Sequence, residues 1–174
     1  MELQVKRLSS EAILPTKAHA TDSGFDLYAA DDIYIKPGET VIVPTDIAIK
    51  LPEGYEAQVR PRSGITSKTK LRVQLGTIDN DYTGGIGVIV DNISQEKGDH
   101  YVTTYDLVSG ETVEHPRKGH EYVSTFPVGA YKIRKGDKIA QLVIQSVALP
   151  QLVEVDEIAT KERGESGFGS SGTR

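Results

Sequence analysis

Apolar and polar residues alternate along most of this chain in short runs with a period of two, the spacing of half-buried strands, and helical periodicity is scarce. The runs Ile33-Tyr34-Ile35, Thr40 to Lys50, Tyr55 to Arg60, Ile86 to Val90 and Lys138 to Val147 are predicted strands. Between them stand Lys36-Pro37-Gly38, Leu51-Pro52-Glu53-Gly54 and Arg134-Lys135-Gly136-Asp137, whose Gly and Pro residues mark turns. Short strands at this density predict an all-β sandwich or jelly roll. One short helix is expected after Ser63, with the Ser63 hydroxyl as its cap.

Two stretches break the rhythm. The polar segment from about residue 93 to 133 is long for a connection, since loops usually run about 4 to 6 residues. Tyr101 to Val108 and Glu111 to Glu114, on either side of Ser109-Gly110, predict a small hairpin within it, and Tyr122 to Phe126 supplies a further strand. By pattern alone the segment reads equally as a solvated insertion or as a partner-binding surface. Residues 163–174 are mostly Gly and Ser, cannot build a strand or a core, and are expected to form a flexible tail on a β domain spanning residues 1–162.

Composition narrows the function classes. A chain of 174 residues with 37% hydrophobic side chains fits one domain with a real core. The net charge of -5, a pI near 5.4 and the absence of a long basic run argue against stable nucleic-acid binding and against anionic membranes. With no cysteine, disulfides, thiol catalysis and zinc-thiolate sites are excluded, which suits a reducing compartment. No signal peptide or apolar span is read, so a cytoplasmic location is expected.

Candidate chemistry collects in clusters. Asp22-Ser23-Gly24-Phe25-Asp26-Leu27 sets Asp26 after a Gly-aromatic step, as a turn residue or a metal-linked carboxylate. Arg60-Pro61-Arg62-Ser63-Gly64 joins fork-shaped guanidinium donors, a hydroxyl and a bare backbone, the equipment of a phosphate site or of a capped surface helix. Gly76-Thr77-Ile78-Asp79-Asn80-Asp81-Tyr82-Thr83-Gly84-Gly85 is overbuilt for a turn. Asp79 there is either turn chemistry or a general base for water, and Tyr82 is either packing or a ring under a sugar. Gln141 interrupts the apolar run Ile139 to Ile144 and, if buried, needs backbone or ligand partners. In the tail, Phe168 stands among glycines, with Arg163 before it and Ser170 and Ser171 after it, an order suited to stacking on a base and binding phosphate.

In this order the clusters resemble the motifs of the trimeric dUTP nucleotidohydrolases (dUTPases): Arg-Ser-Gly, Gly-x-Ile-Asp-x-x-Tyr, Gly-Asp-Lys-Ile-Ala-Gln and a C-terminal Arg-Gly-x-x-Gly-Phe-Gly-Ser-Ser-Gly. The resemblance implies a jelly-roll subunit in a homotrimer whose active sites combine motifs from more than one chain. It implies hydrolysis of dUTP to dUMP and pyrophosphate with Mg2+ on the triphosphate. Asp79 carries over as the base and Asp26 as holder of magnesium-bound water. Arg62, Ser63, Gly64 and Gln141 carry over as phosphate contacts, joined by Arg163, Ser170 and Ser171. Gly76, Ile78 and Tyr82 fall to the nucleoside, with Phe168 and Gly169 as its lid. The segment from about 93 to 133 resembles an extra element of some bacteriophage dUTPases, which implies host cytoplasm as the location and a repressor protein of a mobile genetic island as a further partner. The alternatives are a dCTP deaminase-like enzyme, which needs a Glu where this chain has Ile89, and a regulatory binding protein on the same fold.

Overall fold

The computed structural model describes residues 2–95, 101–102, 104–114, 117–118, 121–122 and 126–159. The strands are β1 Gln4–Arg7, β2 Gly24–Tyr28, β3 Ile33–Ile35, β4 Thr40–Lys50, β5 Tyr55–Pro61, β6 Leu71–Val73, β7 Gly76–Ile78 and β8 Gly85–Asn92, with helix α1 Ser63–Lys68 after β5. Then follow β9 Tyr101–Val102, β10 Thr104–Leu107, β11 Thr112–Glu114, β12 Arg117–Lys118, β13 Glu121–Tyr122, β14 Phe126–Pro127, β15 Tyr131–Ile133 and β16 Lys138–Ser146. The architecture is the expected all-β, jelly-roll-like one. Among the described residues no helix is long and apolar enough to cross a membrane.

Two sheets, ordered β1-β4-β8-β6 and β2-β16-β5-β7, enclose the core. Alternation does the work in β8, where Ile86, Val88 and Val90 point inward while Gly87, Ile89 and Asp91 face outward. In β4 the alternation holds as far as Ile47 and then fails, with Ile47, Ala48 and Ile49 all buried at the register shift between Pro44 and Ala48. β6 belongs to one sheet and β7 to the other, so Gln74 and Leu75 turn the chain from layer to layer. That corner opens the site described below.

The expected hairpin after Asn92 exists: β10 and β11 pair antiparallel, and Gly110 takes the positive φ of 84° that their turn requires. It is not a free appendage. β10 runs parallel to β15, which itself pairs with β3, and buries Tyr105 and Leu107. Phe126 stacks on Tyr34 at 4.7 Å and Tyr105 meets both rings edge-on. Aromatic pairs of this kind contribute about 0.5–1.5 kcal/mol each beyond area burial. At the root of the segment the Asn92 amide donates to the carbonyls of Ile35 and Gly129, and its oxygen accepts the Ser94 N–H.

Candidate active site

The nucleoside-sized cavity lies where β7 leaves the second sheet and β8 rejoins the first. Gly76, Thr77, Ile78 and Asp79 form one wall, Gly85 to Gly87 and Ile89 the other, with Val59 beneath and Tyr82 at the end. Its volume of about 260 Å³ sits just below the usual range for small-molecule sites. Asp79 is the first residue beyond β7, and its backbone carbonyl accepts the Tyr82 N–H at 3.1 Å, closing a tight turn. Its exposed carboxylate has no hydrogen-bond partner among the described residues. The Tyr82 hydroxyl donates to the Gly85 carbonyl at 2.9 Å. The ring lies so close over Gly84 that a Cβ there would come within 2.5 Å of the hydroxyl oxygen, so only glycine admits this pose.

A second group of chemistry-bearing residues is ionic. Asp26, in the middle of β2, is buried, and each carboxylate oxygen meets a cation: Arg62 Nε at 3.1 Å and Lys138 Nζ at 2.8 Å. The hydrogen bond from Lys138 to Asp26, and then the charge of Asp26, raise the Lys138 ammonium above its ordinary range. Arg62 also donates to the Lys138 carbonyl at 3.0 Å, so its guanidinium is held in place rather than swinging in solvent. Gln141 lies in register between Asp26 on β2 and Arg60 on β5. It is half-buried rather than buried, and among the described residues its side chain bonds to nothing. Gly24, which pairs with Val143 two residues along, gives a close approach, since a Cβ there would stand 3.2 Å from the Gln141 Cβ. In the neighbouring turn, burial pushes the Asp137 carboxyl up, opposed by the Arg134 N–H it accepts.

One local expectation is corrected. Ser63 is the first helical residue, not the cap; Arg62 occupies that position with extended backbone, and no side chain caps the helix. Arg62 directly follows the last β5–β16 pair, Pro61 with Ala140, and keeps the extended backbone while its guanidinium is held by Asp26 and the Lys138 carbonyl; this leaves the Ser63 hydroxyl and the Gly64 backbone open, with nothing within 4 Å of a Cβ built on Gly64.

The two groups do not meet within one chain. Ile78, beside Asp79, pairs with Ala57 near the start of β5, whereas Gln141 pairs with Arg60 near its end. At the rise of an extended strand, the five steps from Ala57 to Arg62 separate the ends by about 16 Å. Arg163, Phe168, Gly169, Ser170 and Ser171 lie outside the described residues. Lys138 was not singled out as a functional residue in the sequence; it looks there like any turn-flanking cation, and only the β2–β16 pairing places it on Asp26.

Comparison with known proteins agrees with these motifs. The family model described as dUTPase matches residues 10–109 and 118–172. The deoxyuridine 5'-triphosphate nucleotidohydrolase of Hydrogenobaculum sp. is 40% identical over 177 residues, covering 100% of both chains. A mutant of the Staphylococcus bacteriophage 80alpha dUTPase with dUpNHpp, from work on phage dUTPases controlling transfer of virulence genes, superposes with a TM-score of 0.89 at 37% identity over 98% of each chain. A mutant dUTPase from phage phi11 of S. aureus, in which a structural Mg(II) ion is coordinated, gives a TM-score of 0.83 at 34% identity over 90% of this chain and 98% of that one. With its motifs, its fold and nearly its whole length in common with these proteins, the chain belongs to the dUTPase family.

Proposed function

We propose that this protein hydrolyses dUTP to dUMP and pyrophosphate, in active sites assembled between copies of the chain in a homotrimer. The observation that carries the reading is the unpartnered Asp79 carboxylate on the wall of a nucleoside-sized cavity closed by Tyr82. Backbone groups of the segment from Val73 to Asp79, which crosses from one sheet to the other, read uracil, with Gly76 and Ile78 in the cavity wall. Uracil presents a donor at N3 and an acceptor at O4, cytosine the reverse, so fixed backbone groups left unpaired reject the wrong base. Tyr82 packs under the deoxyribose and leaves no room for a 2′-hydroxyl, which disfavours UTP by steric exclusion.

Asp79 orients a water in line with the α-phosphorus and takes its proton as the new O–P bond forms. The bond from the α-phosphorus to the bridging oxygen breaks, and that oxygen leaves with pyrophosphate. Arg62, Ser63, Gly64 and Gln141 of a neighbouring copy bind the phosphate oxygens, and Arg163, Phe168, Gly169, Ser170 and Ser171 close over the ligand. The exposed apolar run after β16, with Leu152 at 99% and Ile158 at 84% exposure, is surface that a lone chain leaves unburied and another copy would cover.

The donor set bears on magnesium. Asp26 is a single buried carboxylate whose oxygens keep lone pairs beyond those facing Arg62 and Lys138. Among the described residues no three acidic or imidazole groups converge as a metal cage. These residues fit an ion carried in by the triphosphate and held through water, the usual habit of Mg2+, rather than one bound directly by protein. Bound there, the ion would neutralise phosphate charge; Asp26 would hold its hydration shell.

The test is product analysis on a panel of dUTP, dCTP, dTTP and UTP with Mg2+. dUMP and pyrophosphate should form from dUTP far faster than product from any other nucleotide, and chelation of the metal should abolish turnover. Ammonia release from dCTP would overturn the assignment in favour of a deaminase, an outcome that the apolar Ile89 in the cavity wall argues against. A second reading, repressor binding through the segment between β8 and β15, rests on the likeness to phage dUTPases described as controlling transfer of virulence genes.

A further inference from the structure

The loop that carries Asp79 is exposed from Asp79 to Gly84, yet a general base must be held to a fraction of an ångström to serve its water. Tyr82 N–H bonds within the loop, to the Asp79 carbonyl, and the Tyr82 hydroxyl ties the loop's far end to the Gly85 carbonyl where β8 starts. Neither bond joins the Asp79 end to the neighbouring turn. Among the described residues, the side-chain hydrogen bonds from the loop to any element other than β8 all come from Asn80.

Asn80 Nδ2 points into the turn between β4 and β5, where three carbonyl oxygens converge: Pro52 at 2.5 Å, Tyr55 at 3.4 Å and Leu51 at 3.5 Å. The receiving turn is itself firm. Tyr55 N–H donates to the Pro52 carbonyl at 3.2 Å, Gly54 takes the positive φ of 77° that the turn requires, and Leu51 is buried in the core. Asp79 and Asn80 also line a cavity of about 130 Å³ with Tyr55 and Glu56, so the loop has space to shift into if the amide is lost. A carboxylate at position 80 would face the same three carbonyls with no proton to give.

We propose that Asn80 is a positioning residue for the reaction: it ties the peptide next to Asp79 to the β4–β5 turn and so sets where the catalytic carboxylate stands. The inference rests on Asp79 being the base, and its test separates the two. Asn80→Ala should lower kcat by about 10- to 100-fold, with KM for dUTP changed less than about threefold and the thermal midpoint close to wild type, because the cavity that binds the nucleoside is intact. Asn80→Asp should lose more than Asn80→Ala. In the Asp79→Asn background, Asn80→Ala should cost nothing further, since a residue that acts through a carboxylate is silent once the carboxylate is gone.

Wild-type kcat in Asn80→Ala, or a double variant that falls below Asp79→Asn by the full factor seen in the single variant, would overturn the proposal. If Asn80→Ala does not fold, Asn80→Ser makes the same comparison, with reduced kcat at unchanged KM supporting the tie and wild-type kcat overturning it. An Asp79→Asn enzyme that keeps its turnover would instead remove the assignment of the base. A dead Asp79→Asn beside an unimpaired Asn80→Ala would remove only the role of Asn80.

Discussion

Asp79→Asn is expected to lower dUTP turnover by about 10²- to 10⁴-fold, the range of a lost general base. The substitution keeps the size and shape of the side chain and removes only its ability to accept a proton from water. Because the Asp79 carboxylate makes no hydrogen bond to the described residues, the fold loses nothing with it, and the thermal midpoint should be unchanged. Substrate affinity should also hold, since the cavity wall from Gly76 to Ile78 and the ring of Tyr82 are untouched. Pre-steady-state measurement of dUMP formation alongside a melting curve checks both halves. Turnover within about tenfold of wild type would remove Asp79 as the base.

The second large effect is expected from deleting residues 164–174. In the proposed reading the described body supplies a base, a sugar gauge and an anchored guanidinium, and the aromatic face of Phe168 and the donors Ser170 and Ser171 come from the tail. Contacts that form over bound ligand are realised most fully as charge develops on the phosphates, so their loss would fall on kcat. A fall of about 10²-fold or more is expected, the scale of losing donors to a transition state, with the assembly unchanged by light scattering. Dissociation of the truncated protein would make the tail a structural element, and wild-type turnover would remove it from the site.

What could be read from the chain before its structure depended on how local the determinant was. The long strands were legible because their alternation survives: Val88 and Val90 inward with Ile89 outward declares β8 without any tertiary information. The short strands β6, β7 and β15 were not predicted, because their pairing with β8, β5 and β3 defines them; β3, equally short, was legible because Ile33-Tyr34-Ile35 is apolar throughout and stops at the Lys36-Pro37-Gly38 turn. The Ser63 cap was misplaced by one residue because Arg62, just beyond β5 and held by Asp26 and the Lys138 carbonyl, keeps extended backbone, a constraint that local capping preference does not contain. Gln141 would have needed partners if buried; it is half-buried between Asp26 and Arg60, and its side chain bonds to none of the described residues.

The candidate site was legible as residues and not as geometry. Asp26, Arg62, Ser63, Gly64, Gly76, Ile78, Asp79, Tyr82 and Gln141 all stood out by type and spacing. Nothing in the spacing says that they divide into a nucleoside cavity at one end of β5 and an ionic cluster at the other. That division follows from register alone, Ala57 against Ile78 and Arg60 against Gln141. It is also the physical ground for the composite site proposed above: with its α-phosphorus at Asp79, a triphosphate would need a cluster closer than the one the same chain carries.

Mixing two inactive variants tests that claim most directly. Asp79→Asn and Arg62→Ala subunits, denatured together and refolded at equal amounts, should regain about a quarter of the wild-type rate per site, the chance that a cyclic interface pairs an intact Asp79 with an intact Arg62 from its neighbour. A mixture no more active than the two parents measured separately would place both groups in one chain's site and contradict the account.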